Sequence, residues 1–243
     1  MKRYFFIVCL LAAVNGWSQT WFDVGLKGGA GTGFLMNSTL NSDARFTQAA
    51  GFNYFFGGKV GINFGEFVGI TCDVDYGKYS YTFDQNEVPG LSATETYKFK
   101  LGHNSLNVMP MVRYTKSSSY LELGPQFSFT RNPLIEDDAY AANSSSYSDA
   151  IRNNLTGIVF GFGGHMVGNE IISLMMGLRF NYVFSNVVST TYEDTRFPYV
   201  NYPDITSPGK TSPLNVQLVM EINYSLGYIV KASCGRRTAF LTF

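Results

Sequence analysis

From Leu214 to Lys231 the chain reads LNVQLVMEINYSLGYIVK, with apolar side chains recurring at every second position. Val216, Leu218, Met220, Ile222, Tyr224, Leu226, Tyr228 and Val230 fall on one face of an extended chain. Asn215, Gln217, Glu221, Asn223, Ser225 and Lys231 fall on the other. A soluble sandwich strand keeps such alternation for roughly five or six residues, and a strand crossing lipid needs about 9–11. This segment is longer than either, which points to a tilted strand in a closed barrel.

The same signature recurs in Trp21–Phe34, Phe55–Phe64, Val68–Phe83, Thr96–Tyr114, Tyr120–Thr130, Thr156–Val167 and Ile171–Phe184, so the sequence predicts eight strands. The connections alternate in length. Those at Gly65-Glu66, Lys116–Ser119 and Gly168-Asn169 are short, whereas the links 35–54, 84–95, 131–153 and 185–213 are long and rich in Asn, Ser, Asp, Pro and Tyr. Short turns at one end, long loops at the other and an even strand count are the rhythm of outer-membrane barrels. The expected fold is all-β: an eight-stranded antiparallel up-and-down transmembrane β-barrel with both termini periplasmic.

Composition agrees. The 243 residues carry a formal net charge of zero, with 15% charged and 16% aromatic side chains. Soluble domains are about a quarter charged, so this balance suits a surface shown to lipid. Zero net charge supplies no electrostatic footprint for nucleic acid, and no nucleic-acid partner is expected. Met1-Lys2-Arg3, the apolar run Tyr4–Val14, and Gly16 and Ser18 read as a signal peptide over 1–18, too short to span a bilayer. The barrel is then expected over 19–231. Gly235-Arg236-Arg237 breaks the alternation, so 232–243 reads as a short periplasmic tail. Cys72 and Cys234 form no disulfide framework.

If the apolar faces point outward, the inward set holds Lys27, Lys59, Asp73, Asp75, Lys98, Lys100, Arg113, Glu122, Arg179 and Glu221. Charges of both signs are tolerable inside a barrel when they pair, and each isolated one is costly. A soluble lipocalin-like barrel would invert this arrangement. Tyr76, Tyr97, Phe99, Tyr114, Phe180, Tyr182, Phe184, Tyr224 and Tyr228 lie toward the ends of the apolar faces, where interfacial girdles sit. One feature resists the pattern: SLNVMPMVRY (Ser105–Tyr114) carries Pro110 mid-strand, and proline cannot donate to a ladder. The hairpin register that sets Arg113 opposite Glu122 also sets Pro110 opposite Pro125. That placement confines the missing donors to one rung.

SLNVMPMVRY resembles a strand of the PorT-like outer-membrane β-barrels of Bacteroidota. GLKGGAG (Gly25–Gly31), YLELGPQFSF (Tyr120–Phe129), GLRFNYVFSNV (Gly177–Val187) and the closing PLNVQLVMEINYSLGYIV are similar to other segments of that family, in the same order. The resemblance implies an outer-membrane location and, for some relatives, accessory roles in type IX secretion or envelope assembly. It supplies no catalytic residues. Family members tend to finish soon after the last strand, so the stretch Cys234–Phe243 is a departure.

His103-Asn104-Ser105 is the sharpest sign of chemistry, because His can activate a Ser hydroxyl. Small barrels that deacylate lipid A use a His-x-Ser pair with an acidic residue. Apolar parity changes between Leu101 and Leu106, so a β-bulge is expected there and the pair need not share a face. His165 reads as a rim residue. Asp73 and Asp75 share a face and suit Ca²⁺ or, better, interior Lys and Arg. The histidines and cysteines lack zinc spacing, and no cofactor is expected. In the loop FPYVNYPDITSPG (Phe197–Gly209), exposed Phe197, Tyr199 and Tyr202 form the expected partner-binding surface.

The expected role is a non-enzymatic structural or accessory component of an envelope protein complex, in secretion or outer-membrane assembly. Its expected partners are outer-membrane lipid and other envelope proteins. The alternatives are a small pore or ligand-binding barrel, a lipid-modifying barrel enzyme, and a soluble periplasmic barrel.

Overall fold

The structure is a computed structural model and describes residues 19–65, 67–92, 94–139, 150–168, 171–189, 198–199, 202–205 and 209–231. The expected signal peptide, the expected tail and Phe197 lie outside them. The described residues form β1 (Gln19–Met36), the short helix α1 (Ser38–Ser42), β2 (Phe46–Ala49), β3 (Gly51–Phe64), β4 (Val68–Gln85) and β5 (Tyr97–Lys116). They continue as β6 (Ser119–Asp137), β7 (Asn154–Gly168), β8 (Ile172–Val183) and β9 (Ser212–Lys231).

All the strands pair antiparallel. Eight of them close a ring in the order β1-β3-β4-β5-β6-β7-β8-β9, with β9 returning to β1. This is the expected up-and-down barrel. Strand β2, which the alternation does not foretell, lies outside the ring and pairs with the upper part of β4, from Phe46↔Gln85 to Ala49↔Thr82. It takes over the β4 edge beyond Tyr54↔Lys78, the last pair that β3 makes there.

The barrel is inside out relative to a soluble one. Leu218, Met220, Ile222 and Leu226 on β9 are exposed, while Gln217, Glu221 and Asn223 between them are buried. The same inversion runs around the wall, with Leu26, Phe56, Val60, Ile70, Val112, Leu121, Leu123 and Phe160 exposed. Each strand keeps this up because successive side chains point to opposite faces. A closed ring leaves no unpaired edge, so the backbone needs nothing from its surroundings, and the apolar wall requires lipid. No helix among the described residues is long and apolar enough to cross a membrane; the strands cross it.

The two prolines explain the interrupted β5–β6 ladder. Its pairs stop at Val108↔Phe127 and resume at Val112↔Leu123, and the unchanged register sets Pro110 opposite Pro125. The Pro110 carbonyl points at β6, beside Gly124, so this is a hydrogen-bonding position with neither donor present. The flanking ladders run through without a gap, with Cys72↔Pro110 on one side and Pro125↔Ile158 on the other. The defect is one rung deep.

Above the lipid-facing band the interior changes character. Tyr79, Tyr81, Phe83, Phe99, Leu101 and Ile135 point inward from β4, β5 and β6, and Leu40 of α1, Phe46 of β2 and the loop residues Val88, Val187, Tyr199 and Tyr202 pack onto them. This corrects two expectations. The β4–β5 ladder is unbroken from Gln85↔Tyr97 to Val68↔Tyr114, so β5 holds no bulge. The extra residue sits instead on β6, between Arg131 and Leu134, where Asn132 has φ 50°. Leu101 therefore faces inward with Ser105, and the parity change marks an apolar upper storey. Phe99 belongs to that storey and not to an outer girdle.

Candidate functional site

The lower storey of the lumen is a single network of ion pairs. Lys27 of β1 reaches Asp73 of β4 at 2.5 Å, Glu221 of β9 at 3.0 Å and Glu122 of β6 at 3.4 Å. Arg179 of β8 binds Asp73 at 2.5 Å and Glu122 at 2.9 Å, and approaches Asp75 at 3.6 Å. Arg113 of β5 binds Glu122 at 2.8 Å and forks onto both oxygens of Glu221 at 2.7 Å each. Lys59 of β3 closes the group by donating to Asp23 at 2.9 Å and Glu221 at 2.7 Å. Each of these side chains comes from the inward phase of its strand, and seven of the eight ring strands contribute. Asp23 is an addition to the expected set, although it shares the polar face of β1 with Lys27.

Burying this many charges is tolerable because each is paired, and all but Asp23, which meets Lys59 alone, have more than one polar or charged partner. Removing one member of a buried pair leaves an uncompensated charge and costs about 3–5 kcal/mol. Asp73 and Asp75 are thus engaged by interior cations, and Asp75 also accepts from Asn107 at 2.7 Å. Lys98, expected inside, is exposed on the outer wall opposite Asp84, because β5 without a bulge turns its even positions outward. Lys100 faces out with it and pairs with Glu136 at 3.0 Å.

The lumen is filled. Arg179, Asp73 and Glu221 are each 1% exposed, as an eight-stranded interior just wide enough for side chains implies. Inward glycines make room for the charges and leave no gaps. Glu122 lies over Gly161, where a Cβ would come within 2.7 Å of its Cγ, and Asp23 lies over Gly61. Toward the short turns the Tyr120 ring covers Arg113 at 4.5 Å. Beyond it lies a small cavity of about 270 Å³, lined in part by Ser118, Met175 and the exposed rim residue His165.

His103 and Ser105 do share the inward face, contrary to the bulge argument. His103 sits against the rings of Tyr79 and Tyr81, at 5.7 and 5.8 Å. The Ser105 hydroxyl donates to Asn107 Oδ1 at 2.9 Å, and no hydrogen bond joins it to His103. Both are buried away from the lipid-facing wall where a lipid substrate would lie.

The loop aromatics also differ from expectation. Tyr199 and Tyr202 are 1% and 0% exposed and offer no free ring to a partner. Both rings lie 4.8 Å from Phe46, and the Tyr202 hydroxyl donates to the Asn86 carbonyl at 2.8 Å. Outside them Arg45 binds Asp43 and Asp204, each at 2.7 Å, and stacks over Tyr202 at 4.9 Å. This clasp ties the 202–205 segment to the α1–β2 connection, over the apolar upper storey. Arg45 holds both carboxyls below the ordinary aspartate range, and burial pushes the Tyr202 hydroxyl up to about 12.

No family model and no curated protein matches the chain. Solved structures similar to it include neisserial surface protein A, at 15% identity over 83% of this chain and 96% of that one, with a TM-score of 0.38. The outer membrane protein OprG from Pseudomonas aeruginosa is similar at 10% identity over 86% and 96%, with a TM-score of 0.38. The attachment invasion locus protein Ail of Yersinia pestis is similar at 8% identity over 84% and 99%, with a TM-score of 0.36. Independently of these likenesses, the closed ring of eight antiparallel strands with an apolar wall and a charged interior makes the chain a transmembrane β-barrel of the outer-membrane type.

Proposed function

We propose that this barrel is a non-enzymatic, PorT-like component of an envelope protein complex, fixed in the outer membrane. The reading rests on the sealed interior: the salt-bridged lumen sits beneath an apolar cap. Neither the lumen charges nor His103 and Ser105 are within reach of a substrate. The surfaces left for work are the outer wall, the long loops and the short turns. A barrel of this kind acts by docking, as a rigid membrane-held scaffold for other envelope proteins. Mild-detergent extraction after in vivo cross-linking tests it. A reproducible partner in fixed stoichiometry is the expected result, and recovery of the barrel alone contradicts the reading.

A further inference from the structure

The outer wall of β4–β6 carries a row that its lipid-facing position leaves unexplained. The apolar band there ends at the outward row Tyr76, Leu106 and Phe129, joined by the pairs Tyr76↔Leu106 and Leu106↔Phe129. One step toward the long loops, the next outward row is Lys78, Asn104 and Arg131, joined by Lys78↔Asn104 and Asn104↔Arg131. Lys78 and Arg131 are exposed, and neither ion-pairs with a described residue. Their outward neighbours Tyr54, Tyr76, Leu106 and Phe129 hold no carboxylate. The two cations stand two strands apart, roughly 10 Å between Cα atoms, with the Asn104 amide between them. Three cations nearer the mouth stand beside carboxylates instead. Arg45 binds Asp43 and Asp204, Lys100 binds Glu136, and Lys98 is the cross-strand partner of Asp84.

We propose that Lys78, Asn104 and Arg131 bind the phosphate-bearing headgroup of an outer-leaflet lipid, whose acyl chains lie on Tyr76, Leu106 and Phe129 below. Cations at the boundary of an apolar wall meet headgroups, and phosphate takes forked and point-like donors from Arg and Lys together. The inference rests on the proposed outer-membrane orientation, with the long loops outside.

Native mass spectrometry of the purified barrel in phosphatidylcholine discs tests it. The discs are doped with a diphosphorylated glucosamine-disaccharide lipid or with its dephosphorylated form. The wild type is expected to retain the phosphorylated lipid preferentially. Lys78→Gln and Arg131→Gln should each lower retention about tenfold, the loss of one charge-assisted contact. The double variant should show no preference, and Lys98→Gln, an exposed cation on the same wall, should behave as wild type. Circular dichroism reports that every variant is folded. Equal retention of both lipids by the wild type, an undiminished preference in the double variant, or an equal loss in Lys98→Gln overturns the proposal. So does displacement of the lipid by equimolar inorganic phosphate, which assigns the row to a free anion. If cross-linking still recovers a partner in fixed stoichiometry while the lipid preference is absent, this inference fails and the proposed scaffold role stands.

Discussion

Arg113 on β5 and Glu122 on β6 are cross-strand partners, and their side chains meet at 2.8 Å inside the barrel. Glu122 also serves Arg179 and Lys27, so one carboxylate ties four strands together from within. The wall of this protein is held by its ladders and its bore by this shared acid.

Glu122→Gln tests that role. The amide keeps the shape but leaves Arg113, Arg179 and Lys27 short of one negative charge. Loss of a buried partner costs about 3–5 kcal/mol, so the urea midpoint for unfolding from lipid vesicles should fall markedly. A midpoint equal to wild type would show that the network contributes nothing.

Gly161→Ala sets two effects against each other. Reduced freedom of the unfolded chain favours alanine by about 0.4–1 kcal/mol. Against it, the new methyl comes within 2.7 Å of both Glu122 Cγ and Oε1, and that oxygen is held by Arg179. Overpacking of this kind costs about 1–3 kcal/mol, so the clash wins and the variant unfolds at lower urea. A stabilised variant would mean that Glu122 is free to move away.

Pro110→Ala restores one donor facing the Pro125 carbonyl. Stability should change by no more than about 1 kcal/mol, the worth of one net hydrogen bond. The new amide at position 110 should exchange with solvent deuterium as slowly as the amides of Val108 and Val112. Fast, loop-like exchange at that position would place the two prolines out of register.

The clasp over the mouth responds to acid. The folded-state carboxyl values of Asp43 and Asp204 lie below the unfolded aspartate value of about 3.9. Their contribution is therefore present above that value and lost as pH falls through the lower folded values. Exchange at the amides of Tyr202 and Ile205, corrected for intrinsic rate, should stay constant from neutrality and rise only below about pH 4. A transition near neutral pH would show that another group controls the cap.

The sequence is most legible where one physical rule acts alone. Within the lipid band the alternation of Val216–Leu226 against Gln217–Asn223 names the wall and the bore residue by residue, and Lys27, Arg113 and Arg179 are buried in the bore. The same rule misleads beyond the band. There Phe99 and Leu101 point inward into an apolar plug, which looks in sequence like a change of phase and suggests a bulge in β5. The bulge belongs to β6, where the register slips between Arg131 and Leu134 and Asn132 takes a positive φ. Tyr199 and Tyr202 mislead because an aromatic loop reads alike whether it faces a partner or folds back on its own barrel. Their burial depends on Phe46, far away in the chain.

The bore is filled by its own side chains. Single-channel recording of the purified barrel in planar bilayers at neutral pH measures it directly. A stable baseline without conductance steps is the result expected of a lumen filled by Lys27, Asp73, Arg113, Glu122, Arg179 and Glu221. A steady ohmic conductance that changes with Arg113→Ala or Arg179→Ala would contradict it.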